Sequence, residues 1–293
     1  MSAVPSQSER TPGFVRHGPA RPTCPVLLSV PHAGRDYPPA MLEMARVPQA
    51  RLEALEDRHA DLLIGDAVAA GCTAFVSTRA RPWIDLNRDE RELDPGMIDP
   101  LPRGRGLISS AKVRGGLGLV PRRLAGVGEI WNRRLTNEEI AERVAQHHHP
   151  WHAAIAAALD EAHGRFGVAL LIDCHSMPPL PAHGATRPPQ FVIGDRYGRT
   201  APSLLVDRLT AVIEGAGFIC GRNSPYAGGH TLDRQADVPR GVYAIQIEVD
   251  RSLYLAPGLR DPGEDLPRIR AVIAELVAAM VEELSTPLRR AAE

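Results

Sequence analysis

At 293 residues the chain is too long for a small module and suits one large α/β domain or two small ones. Its 44% hydrophobic and 24% charged residues exclude a disordered chain. A net charge of -1 and 4% aromatic residues give no overall electrostatic footprint or stacking platform for nucleic acid.

Residues 1–22 are polar and proline-containing, with no apolar core of a signal peptide, and read as a flexible N-terminal arm. Residues 26–30 (VLLSV) are an apolar run between two prolines, which predicts a buried strand. Residues 49–70 read as one helix, with Leu52, Leu55, Leu62 and Leu63 as its core stripe and Gly71 as its stop. Residues 73–77 (TAFVS) read as a strand. Residues 136–163 read as a long helix, with Thr136 and Glu139 spaced for a capping box and Pro150 set to kink or split it. Short strands follow at 168–172 and 190–194, then a helix at 202–216, a strand at 242–249 and a helix at 265–284. Strands alternating with helices predict an α/β layer fold with a largely parallel or mixed sheet. No linker divides residues 23–293, so they read as a single domain. The stretches 89–120 and 178–189 lack periodicity and read as binding loops or lids, with disorder as the alternative.

Cys24, Cys72, Cys174 and Cys220 are too far apart for a C-x-x-C motif, and a chain of this size needs no disulfide framework. No apolar run approaches the length of a membrane span. The expectation is a cytoplasmic protein that acts on a small molecule, with neither membrane nor nucleic acid as partner. The oligomeric state is left open.

Ligands of open α/β sheets gather beyond the carboxyl ends of strands. His32 follows VLLSV, Asp173-Cys174-His175 follows VALLI, and Glu248 ends VYAIQI. Two imidazoles and a carboxylate at strand ends match the donors of a catalytic zinc that keeps one position open. Asp173 and His175 share a face, so Asp173 orients the imidazole or ligates directly. Glu248 suits a general base, with a salt bridge to Arg251 or another arginine as the alternative. Arg81, Asn87 and Arg88 flank a short extended segment suited to gripping an anion.

These segments bring a resemblance into view. VPHAG (30–34), EDRHAD (56–61), RPWIDLNR (81–88), HHPWHAAI (148–155), LIDCHSM (171–177), VIGDRYG (192–198), GGHT (228–231) and QIEVDRSLYL (246–255) together resemble the N-formylglutamate amidohydrolase family, in family order. That family is similar to zinc carboxypeptidases. The resemblance implies a three-layer α/β/α hydrolase fold of zinc-exopeptidase or phosphorylase/hydrolase type, with one catalytic domain over 23–293. It implies one zinc ion per chain, with His32 and His175 as ligands and Glu248 as general base. Arg81 polarises the scissile carbonyl or holds a second carboxylate, and Asn87 and Arg88 bind a substrate carboxylate. The third ligand is Asp57, with Glu56 and Asp36 as rivals. His149 and His152, at i and i+3, line the substrate site, whereas consecutive histidines 147–149 face different ways and do not chelate together. His59 falls near the apolar stripe and reads as a buried structural residue. The implied reaction is deformylation of N-formyl-L-glutamate to formate and glutamate, late in histidine breakdown. The alternatives are an acylase or metallopeptidase with another substrate, and a non-catalytic carboxylate-binding protein. Asp250 and Arg58 stand where the family commonly has Asn and Trp.

Overall fold

The computed structural model describes residues 13–100, 106–182 and 187–285. Seven strands form one sheet: β1 Phe14–His17, β2 Val26–Val30, β3 Thr73–Ser77, β4 Ala169–Met177, β5 Phe191–Gly194, β6 Cys220–Arg222 and β7 Val242–Asp250. Their order is β1-β3-β2-β4-β7-β5-β6. β3, β2, β4 and β7 are mutually parallel, while β1 and β5 join them antiparallel. The five helices that matter here are α1 Asn137–Arg143, α2 His149–Phe166, α3 Ser203–Gly215, α4 His230–Gln235 and α5 Leu266–Ser285. Among the described residues no helix is long and apolar enough to cross a membrane.

The central strands are buried on both faces, as a parallel sheet between helical layers requires. Leu28, Val30, Leu170, Ile172, Ile245 and Ile247 face one core with α3 and α5. Leu27, Phe75, Leu171 and Ala244 face the other, with Trp151 and Ile155 of α2. α5 presents Ile269, Val272, Ile273, Leu276 and Met280 as a continuous apolar stripe. Each such side chain stabilises the fold by about 1.5–3 kcal/mol when fully buried. On the α2 face the polarity changes along the strands. Ala169 and Leu171 give way to Asp173 and His175, and Val242 and Ala244 to Gln246 and Glu248, all still buried. A polar pocket is thereby set at the carboxyl end of an apolar sheet.

Three expectations need correction. Residues 14–17 of the expected flexible arm are an edge strand paired with β3, and Phe14 packs edge-on against Trp151 at 5.6 Å. The expected helix over 49–70 is broken. It runs Gln49–Leu52, then a 3-10 turn Glu53–Leu55, then Ala60–Leu63 and Gly65–Ala69. Between them Glu56 is extended and His59 is left-handed (φ 58°). Asp57 N–H donates to His32 O at 2.9 Å, a long-range bond that replaces the helical one. His59 is half-buried rather than buried. In the 136–163 segment the capping box of Thr136 and Glu139 forms, and a π-helical turn at Val144–His148 precedes α2. Pro150 follows directly on this π turn, inside a helical run that continues from Asn137 to Phe166, so the segment is neither split nor ended by the proline.

Candidate active site

β2, β4 and β7 deliver the site through their register. Ser29 pairs with Asp173, Asp173 with Gln246, and His175 with Glu248, so these side chains lie side by side on one face. Ser29 Oγ donates to Asp173 Oδ1 at 2.5 Å, and Gln246 Nε2 donates to Glu248 at 2.9 Å. His32 enters from the turn after β2, and Asp57 from the break in the 49–70 segment.

His32 Nε2 lies 2.7 Å from Asp85 Oδ1, and His175 Nε2 lies 2.9 Å from Asp173 Oδ2. A carboxylate only accepts, so each Nε2 carries the proton. The two Nδ1 atoms then point at Asp57 Oδ2, at 3.4 Å from His32 and 2.9 Å from His175. His32 Nδ1 is buried without a hydrogen-bond partner. Arg251 donates to the other oxygen of Asp57 at 3.0 Å, which leaves Oδ2 to face the imidazoles. Three electron-rich donor atoms thus converge, and each histidine is fixed from behind by a carboxylate, the arrangement that orients metal-bound imidazole. The residues fit a divalent cation. In its absence burial opposes charge on His175, but Asp173, Asp57 and Glu248 outweigh it and hold its pKa well above 6.5. Burial pushes the Asp57 carboxyl up, but the hydrogen bond from His175 and the nearby His32 imidazole outweigh it and hold the pKa well below 3.8.

The rivals of Asp57 lie elsewhere. Glu56 is taken by the Tyr37 hydroxyl and by Arg58 Nη1. Asp36 is half-exposed and pairs with Arg79 at 2.7 Å.

A cleft of about 310 Å³ opens over these groups. Its wall includes Arg81, Asn87, Arg88, Lys112, Tyr226 and Arg251, with Glu248 at its base. Burial pushes the Glu248 carboxyl up to about 7, with Asp57 adding and His175, Arg81 and Arg251 opposing. Glu248 is hydrogen-bonded by Gln246, and Arg251 instead pairs with Asp57 and Ser176. Arg81 is braced by Asp85 at 2.9 Å. Arg88 donates to Leu117 O and to Asn87 O, at 3.0 and 2.8 Å. Asn87 Oδ1 accepts from Thr231 N–H at 2.9 Å, which fixes its amide above His175.

His149 and His152, expected to line the site, do not reach the cleft. His149 is exposed and pairs with Glu90 at 2.8 Å. His152 is fully buried, with Nε2 donating to Leu86 O. The one-turn offset that puts them on one helix side points that side at the back of the 85–88 segment, not at the cavity.

Lys112, Asp85, Gln246 and Arg251 were not singled out as site residues from sequence. Lys112 lies in the aperiodic 89–120 stretch, on a helical turn Ala111–Arg114 capped by Ser110. Burial and the nearby Arg88 and Arg81 lower its pKa. Asp85 stands inside the D-L-N-R segment that was quoted, two residues before Asn87, so the signal was present.

A model of the family described as N-formylglutamate amidohydrolase matches residues 24–255. The N-formylglutamate deformylase of Pseudomonas aeruginosa is 29% identical over 273 residues, covering 89% of this chain and 91% of that protein. The Pseudomonas putida enzyme of the same name is 28% identical over 79% of this chain and 82% of its own length. The crystal structure of an N-formylglutamate amidohydrolase from Ralstonia eutropha superposes with a TM-score of 0.86 at 29% identity, covering 94% of this chain and 99% of that one.

Proposed function

The chain belongs to the N-formylglutamate amidohydrolase family, and from that premise we propose that it hydrolyses the N-formyl amide of N-formyl-L-glutamate, or of a closely similar N-acyl acidic amino acid. The observation that carries this reading is the convergence of His32 Nδ1, His175 Nδ1 and Asp57 Oδ2 in the cleft that also holds the buried carboxyl of Glu248. His32, Asp57 and His175 would hold a divalent cation, and zinc suits two imidazoles and a carboxylate. Bound there, it supplies Lewis acidity for the carbonyl and for water.

The chain's own groups do the rest. Arg81 and Arg88, which both lie within 4 Å of Asp85 Oδ2, and Lys112 line the cleft with positive charge, which suits a substrate with two carboxylates. Asn87, locked by Thr231, limits where the acyl group can lie. Glu248 in its ionised form takes a proton from the attacking water and returns it to the leaving nitrogen. Water adds to the carbonyl carbon, the C–N bond breaks, and formate and glutamate leave. Such a reaction suits the end of histidine breakdown in the cytoplasm, where the four free thiols stay reduced.

The test is formate release from N-formyl-L-glutamate by zinc-loaded protein, with a chelator-treated sample alongside. The expected result is turnover that disappears with chelator and returns with zinc. Zinc-bound, folded protein that releases no formate removes this substrate.

A further inference from the structure

A second group of nitrogen donors lies behind the cleft wall, outside the machinery described above. His148 ends the π-helical turn, His152 stands one turn later in α2, and His230 starts α4. Their ring centroids are 4.5 Å apart for His148–His152, 5.6 Å for His148–His230 and 5.2 Å for His152–His230. One nitrogen from each ring lies within 4.8 Å of the others.

The hydrogen bonds fix the tautomers. His148 Nε2 donates to Arg88 O at 2.8 Å, and His152 Nε2 donates to Leu86 O at 2.9 Å. A carbonyl only accepts, so both Nδ1 atoms carry lone pairs. His148 Nδ1 is buried without a partner, and so is His230 Nε2. A purely structural role as N–H donors accounts for the two Nε2 atoms and leaves those two nitrogens unexplained. Buried polar atoms without partners are rare, and an ion is one of the few things that satisfies them. Each ring of the helix pair is tied by its far nitrogen to a backbone carbonyl, as metal-bound imidazoles are. His230 Nδ1 faces Asp89 Oδ2 at 3.9 Å, too far for a hydrogen bond but close enough for the carboxylate to draw positive charge to this ring. The side chain of His230 is 13% exposed, which gives an ion a way in. One contact competes: Gln235 Nε2 sits 3.2 Å from His152 Nδ1, and its amide must turn aside for the third bond.

We propose that His148, His152 and His230 form a second metal site, for a late first-row divalent ion such as Zn2+, Ni2+ or Cu2+, separate from the cleft. Three neutral imidazoles select these ions over Mg2+ and Ca2+, which prefer oxygen. Because His148 and His152 hold the carbonyls of Arg88 and Leu86, the ion tethers α2 and α4 to the segment that carries Asn87 and Arg88. The site is therefore a structural clamp on the substrate-binding segment.

The test counts metal in the full-length protein, stripped with a chelator and dialysed against Zn2+. Wild type is expected to hold two equivalents, His32→Ala one, His230→Phe one, and the double variant none. One equivalent in wild type that survives His230→Phe and is lost with His32→Ala overturns the proposal and leaves the cleft ion standing. One equivalent lost with His230→Phe but kept in His32→Ala supports the proposal and removes the cleft ion instead. Should His230→Phe not fold, zinc-edge X-ray absorption of the His32→Ala protein decides. A shell of three imidazoles is expected, and a shell without imidazole overturns the site.

Discussion

The proposed reaction assigns proton transfer to Glu248 and substrate choice to Lys112, two residues of one cleft, and single substitutions separate them. Glu248→Gln should keep the cation and lower kcat by about 10²–10⁴-fold, the usual contribution of a positioned general base. Formate release measured beside metal content checks both halves. Glu248 must be ionised to accept a proton, so activity should fall as pH drops. Burial sets its carboxyl at about 7, and a cation in the cleft pulls it lower, so the acid limb of kcat/KM should have its midpoint at or below that value. A pH–rate profile with no acid limb contradicts the role. Lys112→Met should raise KM for N-formylglutamate by roughly 10- to 100-fold, the worth of one charged hydrogen bond. N-Formylglutamine should be affected far less if Lys112 meets the side-chain carboxylate. At this scale much of the site was legible: His32, His175, Glu248 and the R-x-x-x-D-L-N-R segment stand at strand ends in the bare sequence. Lys112 was hidden because a residue in an aperiodic stretch declares no direction until the loop folds over the cleft.

Elements were legible where their own periodicity decided them. The strands at 26–30 and 73–77 follow their apolar runs residue for residue. The 49–70 segment was misread because its leucines keep helical spacing on both sides of a break. What breaks it lies outside the segment: His32 O captures Asp57 N–H, and the Tyr37 hydroxyl captures Glu56. Asp57 therefore reaches the site from a non-helical corner. A similar long-range constraint acts at Gly229. A Cβ there would lie 2.4 Å from Asn87 Oδ1, so Gly229→Ala should displace the amide that Thr231 holds. The expected outcome is a fall in kcat/KM with little change in melting temperature, checked by kinetics and calorimetry on the same sample. The π-helical turn carries a pH prediction of its own. Burial lowers His147 and His148 to about 4, against 6.5 for the free side chain. At these two sites the unfolded chain therefore binds more protons between those values, so their contribution to the stability of metal-free protein is complete above 6.5 and is lost as pH falls towards 4. Thermal melts across that range test it.

Over the whole molecule, alternation of strands and helices announced a mostly parallel sheet between two helical layers. It could not announce that β5 enters antiparallel, because strand direction depends on how the chain returns and not on the strand's own residues. The stability of the assembly rests on both cores. Leu276 of α5 is fully buried between helix and sheet, and Leu276→Ala should cost about 2–5 kcal/mol in denaturant unfolding. β1 is held at the sheet margin by distant parts of the chain, its partner β3 and the Trp151 that receives Phe14. Until β1 docks, the outer margin of β3 is an unpaired row of amides and carbonyls, open to another chain. The strand Phe14–His17 thus works as a guard against self-association, and a variant in which Val15→Pro breaks its pairing with β3 should scatter light on warming well before the unaltered protein does.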